Sequence, residues 1–213
     1  MNRLALLALA AIGCTGSAVP HSRAQRIGKL EEAIGGPHAI GRVGDFILEN
    51  DQVRFIIADK GVGRVNTTFG GSLVDADLQR VAGDGKGNDE LAELLPGFVF
   101  TVIDPTDVCV PTKSGKCPVA GNTEPLMDGS DGQAAAVMVT GTGGDLFQMV
   151  ALLNTGLVQP AQLQMTQLYK LEPGKKYVTI ETTIKNTSTG QHPFPYLDPG
   201  QLDNLLGGAI PNI

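Results

Sequence analysis

Tryptophan is absent from these 213 residues, and aromatic side chains make up only 5% of them. Stacking platforms for sugars or bases are therefore scarce. Histidine is nearly as rare: His21, His38 and His192 stand alone, with no His-x-His, no H-E-x-x-H and no paired C-x-x-C, which leaves a catalytic metal centre little support. An excess of positive charge is missing too. The net charge of -6 argues against nucleic acid, whose phosphates demand a basic surface. Nothing beyond the first dozen residues is long and apolar enough to span a bilayer.

What is abundant is punctuation. Twenty-eight glycines and 13 prolines favour many short strands and turns over long helices. The clearest segment is residues 163–187 (LQMTQLYKLEPGKKYVTIETTIKNT), two strands joined by a turn at Glu172-Pro173-Gly174-Lys175. In its second arm Val178, Ile180, Thr182 and Ile184 share one face, and Thr179, Glu181, Thr183 and Lys185 share the other. That period-two pattern predicts a β-hairpin with one face packed and one wet, which needs a second sheet to bury it. DFILENDQVRFIIAD predicts another hairpin around Asn50-Asp51. Strands are also expected over residues 97–104, 134–140 and 146–154, the last two parted by Gly141-Thr142-Gly143-Gly144. Residues 26–34 carry Ile27, Leu30 and Ile34 at helical spacing, and Asn88 or Asp89 is placed to cap a helix that Pro96-Gly97 would end. The fold class expected is an all-β antiparallel sandwich with one or two short helices.

The N-terminus reads as an export signal. Met1-Asn2-Arg3 is a short positive region and residues 4–12 an apolar run too short to cross a membrane. Ala11-Ile12-Gly13-Cys14 resembles the lipobox of bacterial lipoproteins, which implies acylation at Cys14, attachment to the membrane through an N-terminal lipid, and residence in the cell envelope, at the outer membrane. The alternative is ordinary cleavage after Ala18. The expected organisation is a signal peptide over 1–13, a polar tether over 14–25 and a sandwich over 26–213 that continues into a longer protein or ends there. In an oxidising compartment Cys109 and Cys117, flanking VPTKSGK, are expected to pair.

Two resemblances extend this. Tyr169, Leu171-Glu172-Pro173-Gly174, residues 179–186 and Pro193-Phe194-Pro195-Tyr196 with Gly200 form a pattern that resembles the galactose-mutarotase-like supersandwich family. Enzymes of that family place a catalytic histidine just after the loop's glycine, where this chain has Gln201-Leu202-Asp203. The resemblance thus implies the fold and weakens the activity. GDFILENDQVRFIIAD and GGSLVDADL are similar to the N-terminal region of large exported lipoproteins of the myxobacterial type, some of which continue into a PHP-type metal-dependent hydrolase.

The candidate chemistry is thin. His192 with Asp198 or Asp203 is an acid–base pair if a cleft unites them, and otherwise a surface loop histidine with its neighbours. Phe194 and Tyr196 could floor a glycan subsite or plug the sandwich end. Asp75, Asp77, Asp84, Asp89 and Glu90 lie among glycines and offer hard oxygens for Ca²⁺, although their spacing is not that of the twelve-residue calcium loop; the plainer reading is a solvated acidic turn. No other cofactor is expected. The function expected is a non-catalytic envelope scaffold or a binder of glycan or envelope protein, with an aldose-epimerase-like enzyme or an accessory portion of a larger hydrolase as alternatives.

Overall fold

A computed structural model describes residues 19–61, 63–65, 69–80, 87–95, 97–98, 101–146, 158–159, 162–189 and 196–197. Two antiparallel sheets face each other across one core, and no α-helix occurs among the described residues. The first sheet is a meander of β1 (Ser22–Arg26), β2 (Phe46–Asn50), β3 (Val53–Ile57) and β4 (Leu73–Leu78). The second has five strands in the order β10 (Thr179–Asn186), β9 (Leu163–Leu171), β7 (Ala135–Asp145), β6 (Thr101–Cys109) and β5 (Gly97–Phe98). A small ladder pairs β8 (Val158–Gln159) with β11 (Tyr196–Leu197).

Alternation sorts the side chains. Along β9, Leu163, Met165, Tyr169 and Leu171 point inward and are buried, and Gln164, Thr166, Leu168 and Lys170 are not. They meet Phe46, Leu48, Val53, Ile57 and Leu73 of the first sheet in the inter-sheet core. The β2–β3 hairpin is apolar on both faces. Ile47 and Ile56 point outward, where Ile27, Ile34 and Ile40 of the chain before β2 cover them in a second cluster. Asn50 ties the two expected hairpins together: its Oδ1 accepts the Gln52 and Val53 N–H groups, and its Nδ2 donates to the carbonyls of Glu172 and Lys175.

One irregularity matters for the chemistry. Ile57 pairs with Leu73 but Ile56 pairs with Asp75, so Val74 is an extra residue, a β-bulge. Strict alternation from Leu73 would aim Asp75 between the sheets. The bulge turns it to the outer face instead.

Five expectations are corrected. Residues 26–34 form no α-helix: Arg26 belongs to β1 and only a 3-10 turn, Leu30–Glu32, forms, because Leu30 is exposed where a packed helix would bury it. Residues 89–95 run as extended chain along the edge of β4, since the Asp89 side chain caps that strand and not a helix. Gly141-Thr142-Gly143-Gly144 does not end a strand. It lies inside β7, where added Cβ atoms would meet the Asp104 carbonyl from Gly141 and the Phe69 ring from Gly144. The expected strand over 97–104 is divided between β5 and β6. Residues 22–25, expected in the polar tether, belong to β1, where Ser22 and Ala24 are buried.

Candidate functional site

The outer face of the four-stranded sheet carries the densest chemistry. Asp75 is fully buried there, and its two oxygens accept the N–H groups of Ile40 and Gly41, each at 2.9 Å. Burial raises its pKa to about 6, the charges of Asp89 and Asp45 add to the rise, and the two N–H bonds oppose it. Asp89 is also fully buried. Its Oδ1 accepts the N–H groups of Ala76 and Leu91, and its Oδ2 has no hydrogen-bond partner. Asp45 completes the group. It accepts the N–H groups of Arg42 and Asp59 and lies 2.5 and 2.7 Å from Nη2 of Arg64, itself almost wholly buried.

Asp77 behaves differently. Desolvation works to raise its pKa, but Arg80 and the N–H groups of Asn88 and Leu78 outweigh it and hold the carboxyl below its ordinary value. Glu90 is exposed. The expected calcium ligands are therefore not brought together as a cage. Asp75, Asp77 and Asp89 serve as acceptors for backbone N–H groups, Asp84 lies outside the described residues, and no group of three His, Cys, Asp or Glu side chains is placed to hold a metal among the described residues.

Beside this cluster is a cleft of about 680 Å³, between the 3-10 turn and the sheet, bounded by Leu30, Glu31, Ile34, Gly36, Gly41 and Arg54. Its size suits a small ligand or a peptide side chain. Arg54 is its fixed polar feature, donating to Glu49 and to the Glu32 carbonyl. Glu49 also pairs with Arg23, so this end of the sheet carries a three-residue ion network. A shallower depression of about 430 Å³ lies at the other sheet, among Lys113, Met127, Gln133, Lys170 and Glu172.

The cysteine expectation is met. Cys109 ends β6 and is bonded to Cys117, with Cα atoms 5.7 Å apart. The bridge closes the first turn of the excursion between β6 and β7, which Thr112, Ser114 and Glu124 further pin by hydrogen bonds.

The remaining expected site residues, Cys14, His192, Phe194, Asp198 and Asp203, lie outside the described residues; of Tyr196 only the backbone is described, paired with Gln159. Sequence reasoning missed Asp45, Arg54 and Arg64. Asp45 carried no signal beyond its place before an apolar strand, and Arg54 none beyond its place between Val53 and Phe55. The chain matches no protein-family model, no curated protein and no solved structure.

Proposed function

We propose that the chain is an exported, lipid-anchored β-sandwich module of the cell envelope, serving as a non-catalytic scaffold that docks a glycan or an envelope protein. The observation that carries the reading is the Cys109–Cys117 disulfide, because such bonds persist in oxidising compartments and are rare where thiols are kept reduced. The apolar run of residues 4–12 followed directly by Cys14 supplies the route and the anchor. Binding without catalysis is supported by the outer-face cleft. Arg54 and Asp75 beside it are committed to Glu49 and to loop backbone, and its glycine-rich wall presents main-chain groups for contact.

The test is fractionation of cells expressing the full chain and its Cys14→Ala variant, with metabolic labelling by a fatty-acid probe. The wild type is expected in the membrane fraction, labelled, and the variant unlabelled and released. One acyl chain binds only marginally, so multiple acylation of Cys14 is part of the expectation. An unlabelled wild type, or a variant that stays with the membrane, refutes the anchor.

A further inference from the structure

Open sheet edges invite pairing with another chain, and folded proteins close them. Of the four outer strands of the two main sheets, β1 and β4 are covered by other segments of the chain, β5 is short, and β10 is neither. At β1 the Ala24 N–H donates to the Asp128 carbonyl at 3.0 Å, and the Ser22 hydroxyl donates to the Gln133 carbonyl at 2.7 Å. At β4 the Asp89 carboxylate takes the Ala76 N–H, and the Leu94 N–H donates to the Leu73 carbonyl. At β5 the edge is two residues long. The fourth edge, β10, has eight residues, is exposed at all but one of them, and has no strand beyond it among the described residues.

The hydrogen bonding of this edge is determined by its inner neighbour. The Thr187 N–H donates to the Gln162 carbonyl at 2.9 Å, and the same register pairs Lys185 with Gln164, Thr183 with Thr166 and Glu181 with Leu168. In an antiparallel ladder alternate pairs exchange hydrogen bonds, so these odd-numbered residues turn their main-chain groups toward β9. Ile180, Thr182 and Ile184 turn theirs to the open edge.

We propose that β10 pairs antiparallel with β10 of a second copy of this chain, about a two-fold axis at Thr183. Charge selects the register. Opposite residues in a sheet share a face, so with the sandwiches on the same side the axis falls on a residue and not between two. An axis at Glu181 sets Glu181 against itself, and one at Lys185 sets Lys185 against itself. An axis at Thr182 or Ile184 leaves both charges opposite threonines. At Thr183, Glu181 of each copy faces Lys185 of the other, twice, in pairs whose side chains approach closely. Neither residue has an ion-pair partner among the described residues. The same axis places the two Ile184 side chains, 40% exposed in the single chain, diagonally next to each other on the inner face. Lysine on an edge discourages indiscriminate pairing. On β10 the two charges reject the registers that superimpose them and favour one. The proposal goes beyond the envelope reading and holds whether or not Cys14 is acylated.

The experiment is cross-linking of the full chain on non-reducing gels after mild oxidation. Thr183→Cys is expected to give a disulfide-linked dimer, and Thr179→Cys, which lies off the axis, is not. Adding Glu181→Lys to Thr183→Cys is expected to lower dimer yield about tenfold or more, since two attractive pairs become two repulsive ones. Adding Lys185→Glu as well restores it. These exposed changes leave the thermal midpoint of the monomer unchanged. A Thr183→Cys chain that cross-links no better than Thr179→Cys, or a double charge swap that fails to recover, overturns the proposal.

Discussion

Asp75 makes the stability of this protein depend on pH in an unusual direction. Its folded pKa is raised to about 6 from 3.8, so between those values the folded state holds a proton that the unfolded chain has released. Stability from this group is fully present below the unfolded value and is lost as pH rises through the folded one. Integrating the linkage between pH 4.5 and pH 7.5 gives a loss of about 2 kcal/mol. For a chain of this length that is a fall in Tm of about 6 °C. Other described carboxyls run the opposite way. Glu32, Asp51, Asp77 and Asp131 are held below their ordinary values, so their contributions decline only as pH falls toward and below the usual carboxylate range. The assay is therefore a comparison of wild type with Asp75→Asn by urea unfolding at several pH values from 4.5 to 7.5. The variant keeps the shape of the side chain and one acceptor but opposes an NH₂ to the second backbone N–H. Its stability at a single pH is a mixture of a lost bond and a removed buried charge. The slope is cleaner. Wild type is expected to lose about 2 kcal/mol more than Asp75→Asn across the window, because every other titrating group is common to both. Parallel curves would refute the assignment of a raised pKa to Asp75 and the reading of its environment that rests on it.

Two further outcomes follow from the core and the excursion. Replacing Cys109 and Cys117 together by alanine should cost about 2–3 kcal/mol, since the bridged residues are 8 apart and the loop so closed is short; the shift in urea midpoint of the double variant checks it. Tyr169→Phe should cost about 1–2 kcal/mol with the packing intact, because the buried hydroxyl donates to the Gly71 carbonyl at 3.0 Å and its removal leaves that acceptor unmet. An unchanged urea midpoint would show that the carbonyl finds another donor.

The hairpins were legible because two local signals agreed in each: alternation along the arms and a turn of the right chemistry between them. Residues 163–187 and the strands around Asp51 form where they were expected. The packed face of β10 was overestimated. Val178 and Ile180 reach the core, but Thr182 and Ile184 stand past the reach of the narrower four-stranded sheet, and relative sheet width has no local signature. Glycine misled at residues 141–144. A glycine run reads as a break, yet here the missing Cβ atoms of Gly141 and Gly144 admit neighbours to a continuous strand. The same ambiguity hid the role of Asp89, whose carboxylate caps backbone N–H groups as a helix cap would, but on a strand edge and its own following loop.

The buried carboxylates explain how a chain poor in aromatic residues covers the back of its sheet. Asp45, Asp75 and Asp89 each accept N–H groups from loop or edge backbone, and each lies on or beside the outer layer. The aliphatic cluster of Ile27, Ile34, Ile47 and Ile56 supplies apolar burial there, but no aromatic side chain belongs to it, so the loops above are positioned by charge-assisted hydrogen bonds as well as by contact. The bulge at Val74 is what delivers Asp75 to that side. Regular pairing of Val74 with Ile56, without the bulge, would turn the carboxylate to the inter-sheet core, among Phe46, Leu48 and Ile57, with no described N–H pair to receive it. The bulge, the acidic residues and the glycines at the close approaches are thus one structural device. It forms the wall of the outer-face cleft, and the protonation of Asp75 bears on the loop that lines it. A rise in pH through about 6 should therefore lower the protection of residues 40–41 before it affects the core, which amide hydrogen exchange of Ile40 and Gly41 against that of Val137 can read.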